Sequence, residues 1–587
     1  MPKPRKNAAS QTPPAEKRWH FWAAVATLVI VPFILYWPSM HAPFIFDDLG
    51  YITENTAVKH NLTKYLLDRV VKDDVYSVVA SRPIVFVTLR MNYLLGGLNV
   101  GGYHLTNIIL HVMCTLVVFI LSLRILAILN LNRRLAISTM IGFLFAIHPI
   151  NSEVAAYISH RSESIATFFY LTVLLCFTFE SNVLLITGAL LFTLGLLSKE
   201  TVATIPVMLL LLDYFILSNR DASAIVKHRF RHGLFWAILL GFLLARYFIQ
   251  GQLGDMAQVT NQVWTPILYF GSQIEVVLKY IGLLLLPLGL CLDHWISPVS
   301  SLYDMRVILS FSVLCMLLLG IYVIFRRDST LNSIGFFSIL WFIITISPTS
   351  SFLPINDAMA ERRMYLPQYG FWLLMICIFG AVFAKLNDKS SKVMLMLCAV
   401  SYCSFLSFLT WKRSIKYQDP MILWSEAAEK YPNNYRALEN VGFMHYLKGN
   451  YTEAIKSFHA SINAGPRYSG PRYNLGNIYF DLGELKTAQY YYEEEIKLHP
   501  SMGAAINNLG LLYFKQGNLR KAEELYHQAI SINPLNADAY GNLGNLYISK
   551  GLPKLAIENY ENAVKVNPDL IKIIQPIIQK LLQVKTL

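Results

Sequence analysis

LNADAYGNLGNLYISKGLPKLAIENYENAVKVNP, residues 535–568, is 34 residues long and aligns position for position with the 34 before it, SMGAAINNLGLLYFKQGNLRKAEELYHQAISINP (501–534). At the same interval glycine returns at Gly442, Gly476, Gly510 and Gly544, and again at Gly449, Gly483, Gly517 and Gly551. Alanine follows at Ala454, Ala488, Ala522 and Ala556, and proline at Pro466, Pro500, Pro534 and Pro568. A fixed period of this length marks stacked helix pairs, none of which can bury its apolar face alone. Small residues fall where paired helices cross closely, Phe458, Tyr492, Tyr526 and Tyr560 fill the seam, and proline ends each second helix.

The period and its residue types identify tetratricopeptide repeats, four of them over 435–568. Trp424 and Pro432 keep the register one repeat earlier, so 412–434 reads as a half-repeat junction and 569–587 as a capping helix. Asn440, Asn474, Asn508 and Asn542, each two residues before a repeat glycine, form a ladder expected to line the concave groove. A carboxamide both donates and accepts, which suits the backbone of an extended acceptor peptide. The competing use of the same side chains is to bond neighbouring helices.

Upstream of Trp411 the chemistry changes. Over the 587 residues, 55% are hydrophobic and only 15% charged, which excludes soluble, disordered, fibrous and disulfide-scaffold classes. The seven cysteines lie in or beside apolar segments without metal-ligand spacing and read as core thiols. Apolar runs at 20–37, 104–126, 135–150, 164–180, 183–198, 201–217, 234–249, 306–325, 333–350, 366–384 and 392–411 give eleven expected spans within 19–411. The net charge of +13 is an orientation signal, because its basic residues cluster in the 1–18 tail and in loops at 130–134, 218–232, 326–332 and 385–392. Those loops share the cytoplasmic side only if the apolar stretch 266–290 is re-entrant or interfacial. The C-terminus is then extracytoplasmic.

That topology gathers ionisable residues on the outer side, where a water-accessible site is expected. Asp47 and Asp48, in "FIFDDLGYITEN", are the candidate catalytic carboxylates, one of them a general base. Arg82, His160, Arg161, Lys199, Glu361, Arg362 and Arg363 are the candidate phosphate-binding set, the arginines because their planar fork grips two phosphate oxygens. His104, Asn107 and His111 share one helix face, and His111 reads as structural packing. Asn61 in "NLT" and Asn450 in "NYT" are glycosylation acceptors if the host is eukaryotic.

Taken in chain order, "FIFDDLGYITEN", "SRPIVFVTLRMNY", "YHLTNIILH", "HPINSEVAAYISHRSE", "LLSKET", "LLLPLGLCLDHW", "AERRMYLP" and the repeats resemble the transmembrane and tetratricopeptide-repeat O-mannosyltransferase family. The resemblance implies an all-α chain, a polytopic domain of the C-type glycosyltransferase fold followed by an α-solenoid. It implies a polyprenyl- or dolichyl-phosphate sugar donor, a protein Ser or Thr acceptor and catalysis at the acidic pair, Asp47 and Asp48. No other cofactor is expected and a divalent metal is not indicated. Partners are the lipid-linked donor and a protein or peptide at the repeat groove, with no nucleic acid. The repeats are placed in the periplasm of a bacterial cell or the lumen of the endoplasmic reticulum. The alternatives are a non-catalytic repeat scaffold anchored by the membrane half and a lipid-linked oligosaccharide ligase.

Overall fold

The computed structural model describes residues 15–59, 82–250, 264–326, 329–355 and 357–584. The chain divides into two compact units, 1–419 and 420–587. Most of the basic tail, Asn61 and Arg327 lie outside the described residues.

The first unit is built from thirteen principal helices: α1 (Ala15–Tyr36), α2 (Pro83–Gly96), α3 (Val100–Ile128), α4 (Arg134–Ile147), α5 (Arg161–Phe177), α6 (Asn182–Leu196), α7 (Ile205–Leu212), α8 (Arg229–Gln250), α9 (Pro266–Leu285), α10 (Met305–Phe325), α11 (Ser329–Ile346), α12 (Gln368–Lys385) and α13 (Lys389–Lys416). Central α3 packs against α1, α4 and α5, and α12 against α11 and α4. One continuous apolar core runs through them, from Tyr36 through Phe145, Tyr170 and Trp341 to Leu406. The outer faces are apolar as well: Leu309, Phe311, Met316 and Leu319 on α10 are exposed, as suits hydrocarbon rather than water.

Among the described residues, eight helices are long and apolar enough to cross a bilayer. Seven coincide with expected spans. The expected span 135–150 is α4, bent by 50° against the short helix that follows it, while α6 and α11 are shorter apolar helices. The expected span 164–180 is α5, whose first turn is polar. The eighth is α9, the segment set aside on charge grounds, so length and composition alone do not exclude it. Its hydrogen bonds add a different fact. Tyr269 Oη donates to Thr349 O at 3.0 Å, Gln273 Nε2 to Ala358 O at 2.9 Å and Tyr280 Oη to Ala360 O at 3.0 Å, while Leu284 O accepts from His148 Nε2 at 3.1 Å. A 20-residue helix is about 30 Å long, and along that length α9 is bonded to the connecting stretch 349–360, to His148 at the end of α4, to Val299 N and, at its last turn, to Tyr402 of α13.

α13 continues past Trp411 to Lys416, and the unit boundary falls after Asp419, later than the expected 411. The expectation stopped where apolar residues stop, but a helix persists through Lys412, Arg413 and Lys416 because the buried Arg413 finds a partner. No disulfide joins the cysteines. Cys315 and Cys398 are exposed on apolar helices, so the expectation of core thiols fails at those two.

The second unit is four antiparallel helix pairs, preceded by helix Pro420–Lys430 and closed by helix Ile571–Val584. A β-carbon at Gly442, Gly476, Gly510 or Gly544 would stand 2.5–2.9 Å from the ring of Phe458, Tyr492, Tyr526 or Tyr560, so only glycine lets each pair close. Gly449, Gly483, Gly517 and Gly551 have φ between +71° and +79°, the left-handed turn between paired helices.

Candidate active site

Four segments far apart in sequence converge at one end of the first unit. The first follows α1. Phe46, with φ +42°, reverses the backbone just ahead of the acidic pair. Asp48 is buried: its Oδ2 accepts from Ile45 N at 3.1 Å and its Oδ1 from Ser159 N at 2.7 Å. Burial raises its pKa to about 7 against the pull of those donors. Asp47 is half-buried, and its backbone N donates to Tyr157 Oη at 3.0 Å.

The second segment follows α4. His148 caps a 3-10 turn opened by Pro149, its Nδ1 accepting from Ile150 N at 3.2 Å, and the chain then delivers Glu153, Tyr157 and His160. His160 Nδ1 lies 3.3 Å from Glu153 Oε1. Burial, reinforced by the positive charges of Arg362 and Lys199, holds the imidazole well below its ordinary pKa and therefore neutral. The third segment links α6 and α7. Lys199 pairs with Glu163, and Glu200 lies 3.6 Å from Arg82, the residue before Pro83 at the start of α2. Burial lowers the Lys199 pKa, an effect opposed by Glu163.

The fourth segment is the 3-10 turn Glu361–Met364. Arg362 donates from its backbone N and from Nη1 to Glu153 Oε2 and Oε1, both at 2.8 Å, and from Nη2 to Asp357 Oδ2 at 2.7 Å. Burial works against the guanidinium charge, but the two carboxylates outweigh it and hold the pKa above its ordinary range. Arg363 donates to the carbonyl oxygens of Ala358 and Asp357 and bonds the Tyr269 side chain, and among the described residues no carboxylate lies within ion-pair distance of it.

These segments enclose a cavity of about 450 Å³. Asp47, Arg82, His160, Lys199, Arg362 and Arg363 line it, with Tyr51, Glu163 and Glu200 between them, and Phe86, Leu89, Leu353 and Ile355 form an apolar flank. Among the described residues, no three His, Cys, Asp or Glu side chains are grouped to hold a metal ion.

Three expectations are corrected. Asp48 does not line the cavity; both its oxygens are spent on backbone amides that pin Ser159 to the acidic loop. Arg161 is fully buried and bonded to Asn107 Oδ1 at 2.9 Å, Asn92 Oδ1 at 2.7 Å, Thr88 Oγ1 at 3.3 Å and Tyr103 O at 3.0 Å. It fastens α5 to α2 and α3 and does not line the cavity. Glu361 turns away from the cavity, accepting from His294 Nε2 at 2.9 Å, Arg413 Nη2 at 2.8 Å and Cys291 N. In the repeats, Asn474, Asn508 and Asn542 donate to Glu439, to Tyr473 and Asn477, and to Asn507 of the preceding repeat, while Asn440 donates to Arg436 O. Three of the four amides join one repeat to the preceding one, Asn440 bonds within its own helix, and Asn474, Asn508 and Asn542 stay partly exposed.

His111, read as packing, is buried with Nδ1 2.7 Å from Tyr365 Oη and Nε2 3.1 Å from Ala146 O. Glu163, Asp357, His294 and Arg413 were missed as site-building residues. Glu163, Asp357 and His294 lie within or beside the motif stretches, where a charged residue amid apolar sequence was the available signal; Arg413 looked like one more basic residue after a span.

Fold and cavity together define a polytopic helical membrane protein with a charged cavity and a tetratricopeptide array. Models of the tetratricopeptide repeat match residues 471–501, 504–536 and 537–570. Human protein O-mannosyl-transferase TMTC3 is 26% identical over 510 residues, 79% of this chain and 54% of the relative. The Caenorhabditis elegans protein O-mannosyl-transferase F38B6.6 is 28% identical over 461 residues, 75% of this chain and 62% of the relative. Among solved structures, that of MamA is 27% identical and covers 26% of this chain and 89% of its own, with a TM-score of 0.23. The chain is thus similar to protein O-mannosyl-transferases that its motifs also resemble, and it spans somewhat over half the length of these curated relatives.

Proposed function

We propose that this chain transfers a sugar, mannose by kinship with its relatives, from a polyprenyl phosphate to Ser or Thr hydroxyls of a protein. The observation that carries the reading is the cavity: half-buried Asp47 shares it with Arg82, Lys199, Arg362 and Arg363 beside an apolar wall, and the other lining carboxylates, Glu163 and Glu200, lie against Lys199 and Arg82. Asp47 takes the proton of the acceptor hydroxyl as that oxygen attacks the sugar's anomeric carbon. The bond from that carbon to the phosphate oxygen breaks, and the electron pair leaves with the polyprenyl phosphate. Direct displacement inverts the anomeric centre and needs no covalent intermediate.

The growing charge on the phosphate is stabilised by groups already in place. Arg363, whose charge no carboxylate offsets among the described residues, is the principal phosphate contact. Arg362, tied down by Glu153 and Asp357, Lys199, tied by Glu163, and Arg82 set the surrounding potential. Neutral His160 donates or accepts a hydrogen bond without adding charge. Phe86, Leu89, Leu353 and Ile355 receive the first isoprene units. A pure scaffold has no use for so many desolvated charges, each costly at membrane depth.

The cavity and repeats are proposed to face away from the cytoplasm. The basic loops argue for it, and so do the bonds of α9 to 349–360 and His148, which suit a helix lying along the outer face of the bundle. The repeats hold the acceptor, in the manner general to such solenoids.

The test supplies purified protein with polyprenyl-phosphate mannose, an acceptor protein and, in parallel, a lipid-linked oligosaccharide. Mannose on Ser or Thr, detected by mass spectrometry, is the expected product. Turnover of the lipid-linked oligosaccharide alone would replace this reading with the ligase, and donor turnover in neither reaction would favour the scaffold. An alkaline phosphatase fusion after Leu587 reads the side of the repeats, and a cytoplasmic result overturns the topology.

A further inference from the structure

One face of α13 touches three of the site-bearing segments. Thr410, Arg413, Ser414, Tyr417 and Gln418 follow one another at the 3, 4, 7 and 8 intervals that put residues on a single helical face. The first four are at most 6% exposed. Thr410 Oγ1 donates to Ile147 O at 2.5 Å, at the end of α4 and just ahead of the segment that delivers Glu153 and His160. Arg413 Nη2 donates to Glu361 Oε2 at 2.8 Å, on the turn that carries Arg362 and Arg363. Gln418 Nε2 donates to Pro38 O at 2.7 Å, in the 3-10 turn Trp37–His41 that leads to Asp47.

We propose that the last three turns of α13 are the positioning strut of the site, with Arg413, Thr410 and Gln418 as positioning residues that set where the Asp47 loop and the Arg362–Arg363 turn stand relative to each other. The proposal rests on the glycosyl-transfer reading for its kinetic consequence, but not for its geometry. Asp47 and the arginines come from loops and one-turn helices, which have little stiffness of their own. A continuous helix of 28 residues does: from it Thr410 reaches the end of α4 and Arg413 the 361–364 turn, while Gln418, two residues past its last helical residue, reaches the 37–41 turn. Glu361 is the junction. Its second oxygen accepts from His294 Nε2 and the Cys291 amide, so the strut also fixes the 291–294 loop. Glu361 thereby gains a role in transfer without touching the donor. In sequence, the strut is the last element of the first unit.

The test uses the full-length chain in detergent or nanodiscs. Arg413→Met should lower kcat/KM for the donor by about a hundredfold, the scale of a 1 Å misplacement, with the acceptor KM unchanged. Arg413→Lys, which keeps a buried charge beside Glu361, should recover most of the loss. Because Arg413→Met leaves Glu361 buried without its cation, it is paired with Glu361→Gln/Arg413→Met. This double variant removes both charges and should regain thermal stability while staying slow. Hydrogen exchange should quicken in 37–48 and 357–366 in the same double variant. A stable double variant with wild-type turnover and wild-type exchange in both segments would overturn the strut. If the wild-type chain transfers no sugar at all, the functional reading fails by itself, and the exchange comparison alone decides the strut.

Discussion

Replacing Glu153 with glutamine probes the carboxylate on which the cation cluster is built. Glu153 is fully buried and accepts two hydrogen bonds from Arg362, each at 2.8 Å, with His160 3.3 Å away. Glutamine keeps the volume but turns one acceptor into a donor facing an N–H. One charge-assisted bond is then lost and another weakened. A hydrogen bond to a charged group contributes about 1.5–3 kcal/mol, and unpairing a buried ion pair costs about 3–5 kcal/mol. Arg362 keeps its bond to Asp357, and its side chain is 23% exposed, so the lower end applies, about 2–3 kcal/mol. Thermal unfolding of the detergent-solubilised protein, followed by tryptophan fluorescence, should show a lower midpoint. Steady-state kinetics should show a raised donor KM with the acceptor KM unchanged. Unchanged midpoint and unchanged donor KM would refute the assignment of Glu153 as the anchor of Arg362.

Arg161→Ala and Arg363→Ala should separate: the first destabilises the fold, since it empties a site of four hydrogen bonds, and the second raises the donor KM at native stability. Unfolding midpoints and donor kinetics for the pair check this. Gly510→Ala should destabilise the repeat unit by about 1–3 kcal/mol, the scale of overpacking, because the added carbon meets the Tyr526 ring at 2.8 Å; denaturant unfolding reads it. Asp48 gives a pH signature. Its folded pKa of about 7 exceeds its ordinary 3.8, so the folded chain holds the proton more tightly than the unfolded one. Its contribution is present at low pH and lost as pH rises through 4 to 7, at up to about 1.4 kcal/mol per unit. Asp48→Asn should flatten that part of a stability–pH curve.

The repeats were legible almost to the residue, because a period of 34 with obligatory glycines leaves little freedom: the Gly510 position admits no β-carbon against Tyr526, and Gly517 needs a positive φ. The segments that build the cavity were legible too, since charged residues beside apolar runs are conspicuous. What the sequence did not reveal was which of two neighbouring charged residues faces inward. Asp47 and Asp48, His160 and Arg161, Arg362 and Glu361 are adjacent pairs at loop or one-turn helical segments, and in each pair one member lines the cavity while the other is pulled away. The pull comes from distant chain: Ser159 N on Asp48, Asn107 and Asn92 on Arg161, Arg413 and His294 on Glu361. No local pattern encodes such bonds. The asparagine ladder shows the same limit, because a carboxamide that suits a peptide backbone suits a neighbouring repeat equally well, and three of the four bond to one.

Of the acidic pair only Asp47 lines the cavity, so the transfer rate of Asp47→Asn with polyprenyl-phosphate mannose and a protein acceptor is the most direct measurement. The substitution keeps size and shape and removes the base. Mannose appearing on Ser or Thr should fall by about a hundred- to ten-thousandfold, with unfolding midpoint, membrane insertion and donor KM close to wild type. Wild-type transfer by a folded Asp47→Asn protein would contradict the account.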